Sequence, residues 1–260
     1  MSVDVTTLRT FYYDKPLGRV TRRILSDDFA RHWPVTRGCR LLGIGYATPF
    51  LRRTLHDVER TLAFMPATQG VHAWPPEGPS VSSLVLEDTL PLPDSSVDRV
   101  LAVHAIENAD RPDEVLHEIW RVLAPEGRLL LVVPNRRGFW ARADGTPFGA
   151  GRPYSREQLH GLLKQAHFMD ETWSSALIMP PFQRPSFVRA APTFERLGHR
   201  GWTAFAGVLI VDALKRQRQG PPRVRESRFA RALVPVLAPP IPAPQRLTRT
   251  IELPQFSRND

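Results

Sequence analysis

The chain has 260 residues, one cysteine (Cys39) and a formal net charge of +9. A single cysteine excludes an intramolecular disulfide framework and a cysteine-built metal site, and it fits a reducing compartment, so a cytoplasmic location is expected. No stretch of about eighteen uncharged apolar residues occurs, and the first twenty residues have early acids and no apolar run, so neither a membrane span nor a signal peptide is expected.

In chain order, LRTFYYDKPLGRVTRRILSDDFARHWP reads as part of a helical N-terminal extension, residues 1–34, interrupted at Pro16 to Gly18. Its Tyr12 and Tyr13 are candidates either for a packed aromatic pair or for a cover over a ligand. RLLGIG, Arg40 to Gly45, is an apolar run ending in glycine and predicts a strand. Thr48 and Pro49 then supply the expected N-cap and first residue of a helix. Further strands are predicted at Thr61 to Met65, Ser83 to Leu86, Arg99 to His104 and Arg128 to Pro134. PDEVLHEIWRVLAPEG predicts a helix because Val115, Ile119, Val122 and Leu123 recur at helical spacing, Asp113 and Glu114 favour its N-terminus, and Pro125 to Gly127 marks the stop. Ser155 with Gln158 three residues on is a capping-box arrangement and opens another helix. Glu171 to Met179 and Gly207 to Lys215 predict two last strands with a helical connection between them.

The end of the chain differs in composition. Residues 215–260 hold ten Lys/Arg against three Asp/Glu and eight of the 26 prolines, which leaves a net charge of only +2 on residues 1–214. A basic, proline-rich segment resists packing, so residues 218–260 are expected to form an extended tail. It is either a solubilising appendage or an electrostatic arm for RNA, an acidic partner or an anionic membrane surface.

Strands alternating with helices imply an α/β fold with a mostly parallel sheet covered on both faces. The string LPLPDSSVDRVLAVHAIENADRPDEVLHEIWRVLAPEGRLLLVVPN makes the expectation narrower. It resembles the second half of the class I S-adenosylmethionine-dependent methyltransferase domain, in particular the methyltransferase type 11 pattern. The matches include Leu90, Pro91, Pro93, Asp94, Asp98, Glu118, Arg121, Val122, Leu123, Pro125 and Gly127. The resemblance implies a Rossmann-like sandwich over residues 35–217 with a seven-stranded, mostly parallel sheet whose last two strands form an antiparallel edge. It also implies S-adenosyl-L-methionine as cofactor and an unidentified small-molecule or macromolecular methyl acceptor.

Residue by residue, the match is uneven. The family's first-strand motif, an acid followed by three glycines at alternate positions, falls on Gly43, Gly45, Ala47 and Pro49, so one of the three glycines, Gly45, is kept. The acid is lost. Gly43, Gly45, Tyr46 and Thr48 are thus the expected cofactor loop. The acid that holds the ribose in the family falls near Met65, where no carboxylate is available. Its adenine-contacting acid falls at Leu86, one or two residues before Glu87 and Asp88, which are the candidates for that contact or else an ordinary exposed turn. Ligands of open parallel sheets sit beyond the carboxyl ends of the strands, which selects His104 and Glu107, after the fourth strand, as candidate catalytic groups.

The segment NRRGFWARADGTPFGAGRPYS, residues 135–155, is long for a connector and rich in glycine, arginine and aromatic residues. Trp140, Arg142, Phe148 and Tyr154 are the candidate acceptor-binding residues of a lid, the alternative being a rigid loop with buried aromatic anchors. Since the methyltransferase fold tolerates site drift, two other functions remain open at the level of sequence. One is a catalytically inactive binding or regulatory protein. The other is an RNA methyltransferase that uses the basic tail.

Overall fold

The computed structural model describes residues 3–34, 36–198 and 202–216, so the expectations for the tail at 218–260 lie outside the described residues. Seven strands form one sheet: β1 (Arg40–Gly45), β2 (Arg60–Pro66), β3 (Ser82–Val85), β4 (Val97–Val103), β5 (Leu123–Pro134), β6 (Phe168–Ala176) and β7 (Val208–Lys215). Their order is β3-β2-β1-β4-β5-β7-β6. Strands β1 to β5 pair in parallel, and β7 runs antiparallel between β5 and β6. The strand order reverses beside β1, which is where an open α/β sheet places its ligand crevice.

The two faces of the sheet bury separate apolar clusters. Along β4, Leu101 and Val103 point into one and Val100 and Ala102 into the other, as the two-residue period of a strand requires. The first face is covered by α1 (Val5–Arg9), α2 (Pro16–His32), α3 (Thr48–Leu51) and α6 (Pro185–Gly198). The second is covered by α4 (Pro112–Val122) and α5 (Arg156–Gln165). On α4, Val115, Leu116, Ile119 and Val122 are fully or almost fully buried, and burial of each such side chain stabilises by about 1.5–3 kcal/mol. Ser155 caps α5 through a complete capping box with Gln158.

Two expectations need correction. The helix after β1 begins one residue early, with Ala47 as N-cap and Thr48 inside the first turn, so the Thr48 side chain does not cap it. The α4 helix stops at Val122, and β5 already starts at Leu123 and runs through the Pro125–Gly127 turn signal. Lys215 ends β7, as the predicted strand Gly207 to Lys215 has it, and is buried. Its ammonium donates to the Leu123 carbonyl at 2.5 Å and lies 4.1 Å from the Trp120 ring, and burial lowers its pKa.

The N-terminal extension joins the core of the domain. Leu8, Phe11, Tyr12 and Leu17 are at most 1% exposed and belong to the first cluster. A π-helical turn at Thr10–Asp14 sits between α1 and α2, with Pro16 as the first residue of α2. This turn presents Tyr12 to the sheet.

Candidate active site at the ends of β1 and β4

The carboxyl ends of β1 and β4 lie side by side because Gly45 pairs with Val103. Gly45 has φ +75, and a Cβ there would run into the Val103 carbonyl. Only glycine lets the chain turn this close to the neighbouring strand. The next amide, Tyr46 N, donates to that same Val103 carbonyl at 2.7 Å.

His104, the first residue beyond β4, is fully buried and has φ +55, a left-handed backbone that is uncommon outside glycine. Such a conformation persists only where its surroundings hold it. Here they do so at three points. Tyr12 Oη lies 2.7 Å from His104 Nε2, Glu107 Oε1 lies 3.1 Å from Nδ1, and the His104 carbonyl accepts from the side-chain amides of Gln69 and Asn108. Burial pushes the Tyr12 phenol well above its ordinary pKa, with Glu107 and Tyr46 adding to the effect, so the phenol stays protonated. A neutral imidazole that donates Nδ1–H to Glu107 accepts the Tyr12 proton at Nε2. The other carboxylate oxygen, Glu107 Oε2, is buried without a hydrogen-bond partner.

Aromatic rings complete the enclosure. Tyr12 stacks on Tyr46 with centroids 5.9 Å apart, and Phe148 lies 4.7 Å from the His104 ring. Phe148 arrives from the long loop, which docks on the segment after β4: Arg152 N donates to the Glu107 carbonyl at 2.8 Å. A Cβ at Gly151 would collide with that carbonyl, which is why glycine is required where the two loops touch. Tyr154 is also buried and donates weakly to the Ile106 carbonyl at 3.4 Å.

Trp140 and Arg142 are placed differently. The Trp140 indole is 0% exposed, sits edge-on to Phe148 and donates to the Met179 carbonyl at 2.7 Å. In this structure Trp140 anchors the loop, and the lid surface expected of it is not presented. Arg142 is exposed on a short 3-10 turn, Trp140–Arg142.

At the other end of the crevice Glu87 and Asp88 form a turn after β3. Together with Thr68, Asn108 and Asp110 they line a cavity of about 230 Å³. Burial, then the charges of Asp88 and Asp110, raise the Glu87 pKa. Asn108 Oδ1 is buried without a hydrogen-bond partner, on the side that faces Gly151. This acceptor-rich end fits the amino edge of an adenine. The methionine end, between Gly45 and His104, is filled by the side chains of Tyr12, Tyr46 and Gln69, each at most 2% exposed. The adenine edge of S-adenosylmethionine would meet acceptors here, its ribose finds no carboxylate near Met65, and its sulfonium half would need Gln69 and Tyr12 to withdraw.

Sequence reasoning missed Gln69, and it left Tyr12 undecided between packing and covering a ligand. Gln69 follows β2 in a polar turn, and Tyr12 lies 92 residues from its partner His104, so no local pattern marks either contact. Among the described residues, no group of three or more His, Cys, Asp or Glu is placed to hold a metal ion, and no helix is long and apolar enough to cross a membrane.

Comparison with known proteins agrees with this geometry. Residues 38–131 match the model of a methyltransferase domain. No curated protein matches the sequence. A SAM-dependent methyltransferase from Archaeoglobus fulgidus superposes with TM-score 0.54 at 17% identity, covering 74% of this chain and 94% of that one. The [4+2]-cyclase SpnF superposes with TM-score 0.53 at 23% identity over 75% of this chain and 80% of its own. Phosphoethanolamine N-methyltransferase 2 of Haemonchus contortus, solved in complex with S-adenosyl-L-methionine, gives TM-score 0.50 at 14% identity, covering 73% of this chain and 51% of that one. At such identities the likeness concerns the fold, and a cyclase among these structures illustrates that fold and reaction are separable. The matched domain and the sheet order agree with the motifs of the sequence: residues 38–131 are a methyltransferase domain by family model, set in the Rossmann-like fold of methyltransferases whose cofactor is S-adenosylmethionine.

Proposed function

We propose that the protein transfers the methyl group of S-adenosylmethionine to an acceptor hydroxyl or amine, with His104 as the general base. When bound, the sulfonium supplies an electrophilic methyl group, and the chain needs to align the two partners, exclude water and take up one proton. The observation that carries this reading is the Tyr12 hydroxyl 2.7 Å from His104 Nε2. A phenol stands where an acceptor O–H or N–H would stand, on a nitrogen whose ring is oriented by Glu107.

In this reading Glu87, Asp88 and Asn108 hold the adenine, and Gly45, Tyr46 and Thr48 shape the loop beside the amino-acid moiety, with Gly43 behind it. Gly43 acts through packing, since a Cβ there would press on Ala47 and Leu51. His104 Nε2 would take the acceptor's proton as the acceptor gains the methyl group and the methyl–sulfur bond breaks, leaving a neutral thioether. Glu107 keeps the imidazole upright and stabilises the imidazolium that results. Phe148 and Tyr154 wall the acceptor side, Trp140 fixes the loop that carries Phe148, and Arg142, exposed two residues after Trp140, offers a cation to an anionic acceptor.

Calorimetric titration with S-adenosylmethionine and with its demethylated product is the direct test. Saturable binding that Gly45→Leu abolishes supports the proposal. Absence of heat at millimolar ligand would sink it and favour a binding or regulatory role for a crevice that stays closed.

A further inference from the structure

A groove of about 800 Å³ separates the first half of α2 from the segment after α3. Its walls carry Arg19, Arg22 and Arg23 on one side and Arg52 and Arg53 on the other, with Tyr13 at one end. Residues 19, 22 and 23 are three and four apart, so their side chains leave α2 on a common face. Five guanidinium groups in one groove repel each other unless anions compensate them, and the protein provides little compensation. Arg53 pairs with Asp27 at 3.1 Å, while Arg19, Arg22, Arg23 and Arg52 have no carboxylate within ion-pair distance among the described residues.

Two of these side chains are held in place by uncharged partners. Arg19 donates to the Asp14 carbonyl at 2.9 Å, and the Arg22 guanidinium lies 4.7 Å from the Tyr13 ring centroid. Arg23, Arg52 and Arg53 are exposed. The charge is therefore local. Residues 1–214 carry only +2 in all, and the groove concentrates more than that. Apolar Val20 and Pro49 line it as well, so the arginines stand over a surface that water solvates poorly.

We infer that this groove is a binding site for phosphate-bearing ligands, in which paired arginines on facing walls clamp successive phosphate groups. Planar guanidinium forks match phosphate oxygens two at a time, which lysines on a flat surface do not. The shared chemistry is a chain of phosphates, either free polyphosphate or the backbone of a single-stranded nucleic acid. The groove is distinct from the proposed methyl-transfer site, and the inference does not rest on that proposal. The two are neighbours through consecutive residues, since Tyr13 borders the groove and Tyr12 contacts His104.

Binding of inorganic tripolyphosphate and of a fluorescent single-stranded RNA decamer to the full-length protein tests this at ~150 mM NaCl, where long-range attraction between exposed charges is largely screened. Two variants, R22Q/R23Q and R52Q/R53Q, remove charge from one wall each, and thermal melting checks that each remains folded. Saturable binding of either probe that falls about tenfold or more in both variants is expected. For the RNA, each phosphate contact removed also lowers the salt slope of affinity by about one. Tripolyphosphate binding identifies free phosphate chains as sufficient, and binding of RNA alone identifies the polymer backbone. Binding of neither probe, or binding that both folded variants retain in full, overturns the inference. The latter result would assign affinity to the basic tail.

Discussion

The side-chain amide of Gln69 donates to the main-chain carbonyl of His104, joining the turn after β2 to the turn after β4 across the end of β1. Both residues are buried, and the bridge passes over the part of the crevice next to Gly45. In this closed arrangement the protein satisfies its own polar groups with the side chains that a ligand would have to displace.

If the bridge competes with the cofactor, Gln69→Ala should tighten S-adenosylmethionine binding. A hydrogen bond of this kind contributes about 0.5–1.5 kcal/mol net, equivalent to roughly a 2- to 13-fold fall in Kd. Calorimetry on the variant reads this directly, and weaker binding would instead assign the Gln69 amide to the bound ligand.

His104→Ala should lower the methyl-transfer rate by about 10²- to 10⁴-fold, the usual contribution of a positioned base, while leaving cofactor Kd nearly unchanged. Glu107→Gln keeps the shape of the side chain and loses its charge, so it should reduce the rate less than removal of the imidazole. Single-turnover kinetics with a responsive acceptor separate the two steps. Equal loss of binding and rate in His104→Ala would place the imidazole in the scaffold.

Trp140→Ala should cost about 3–5 kcal/mol of stability, the range for buried large aromatics. The indole fills a fully buried site and satisfies the Met179 carbonyl. Chemical denaturation measures the loss. An unchanged unfolding midpoint would remove Trp140 from the role of anchor.

The acid limb of the stability profile should depend on two carboxylates. Arg40 holds Asp98 below its ordinary pKa of 3.8, and Arg121 holds Glu118 below its ordinary 4.5, in each case chiefly by side-chain hydrogen bonds. A depressed folded-state pKa contributes stability that is complete above the unfolded value and is lost as pH falls through the folded value. Stability should thus be level in these two terms above about pH 5 and decline below about pH 4. Asp98→Asn should flatten part of that decline, as read from melting temperatures across pH. These pairs are partly exposed, so salt should weaken the effect.

The sequence by itself determined the order of elements and the end of the sheet at which the candidate site is placed. Strand runs at Arg40 and Arg128, the apolar period of α4 and the Ser155–Gln158 box are local signals, and local burial produces them directly. Because parallel strands end at one edge, Gly45, His104, Glu107, Glu87 and Asp88 could be assigned to a common rim before any contact was known. The tertiary structure decided which of those residues meet and what stands between them. Tyr12 reaches His104 only because the N-terminal turn folds back over the sheet, and Gln69 reaches it only because β2 and β4 flank β1. The same holds for Trp140 and Lys215. Trp140 lies in a loop rich in glycine and arginine and Lys215 at the end of a predicted strand beside the basic tail, and each is buried with its polar group on a carbonyl far away in sequence, Met179 for the indole and Leu123 for the ammonium. A buried polar group needs such a partner, and only the path of the whole chain supplies it.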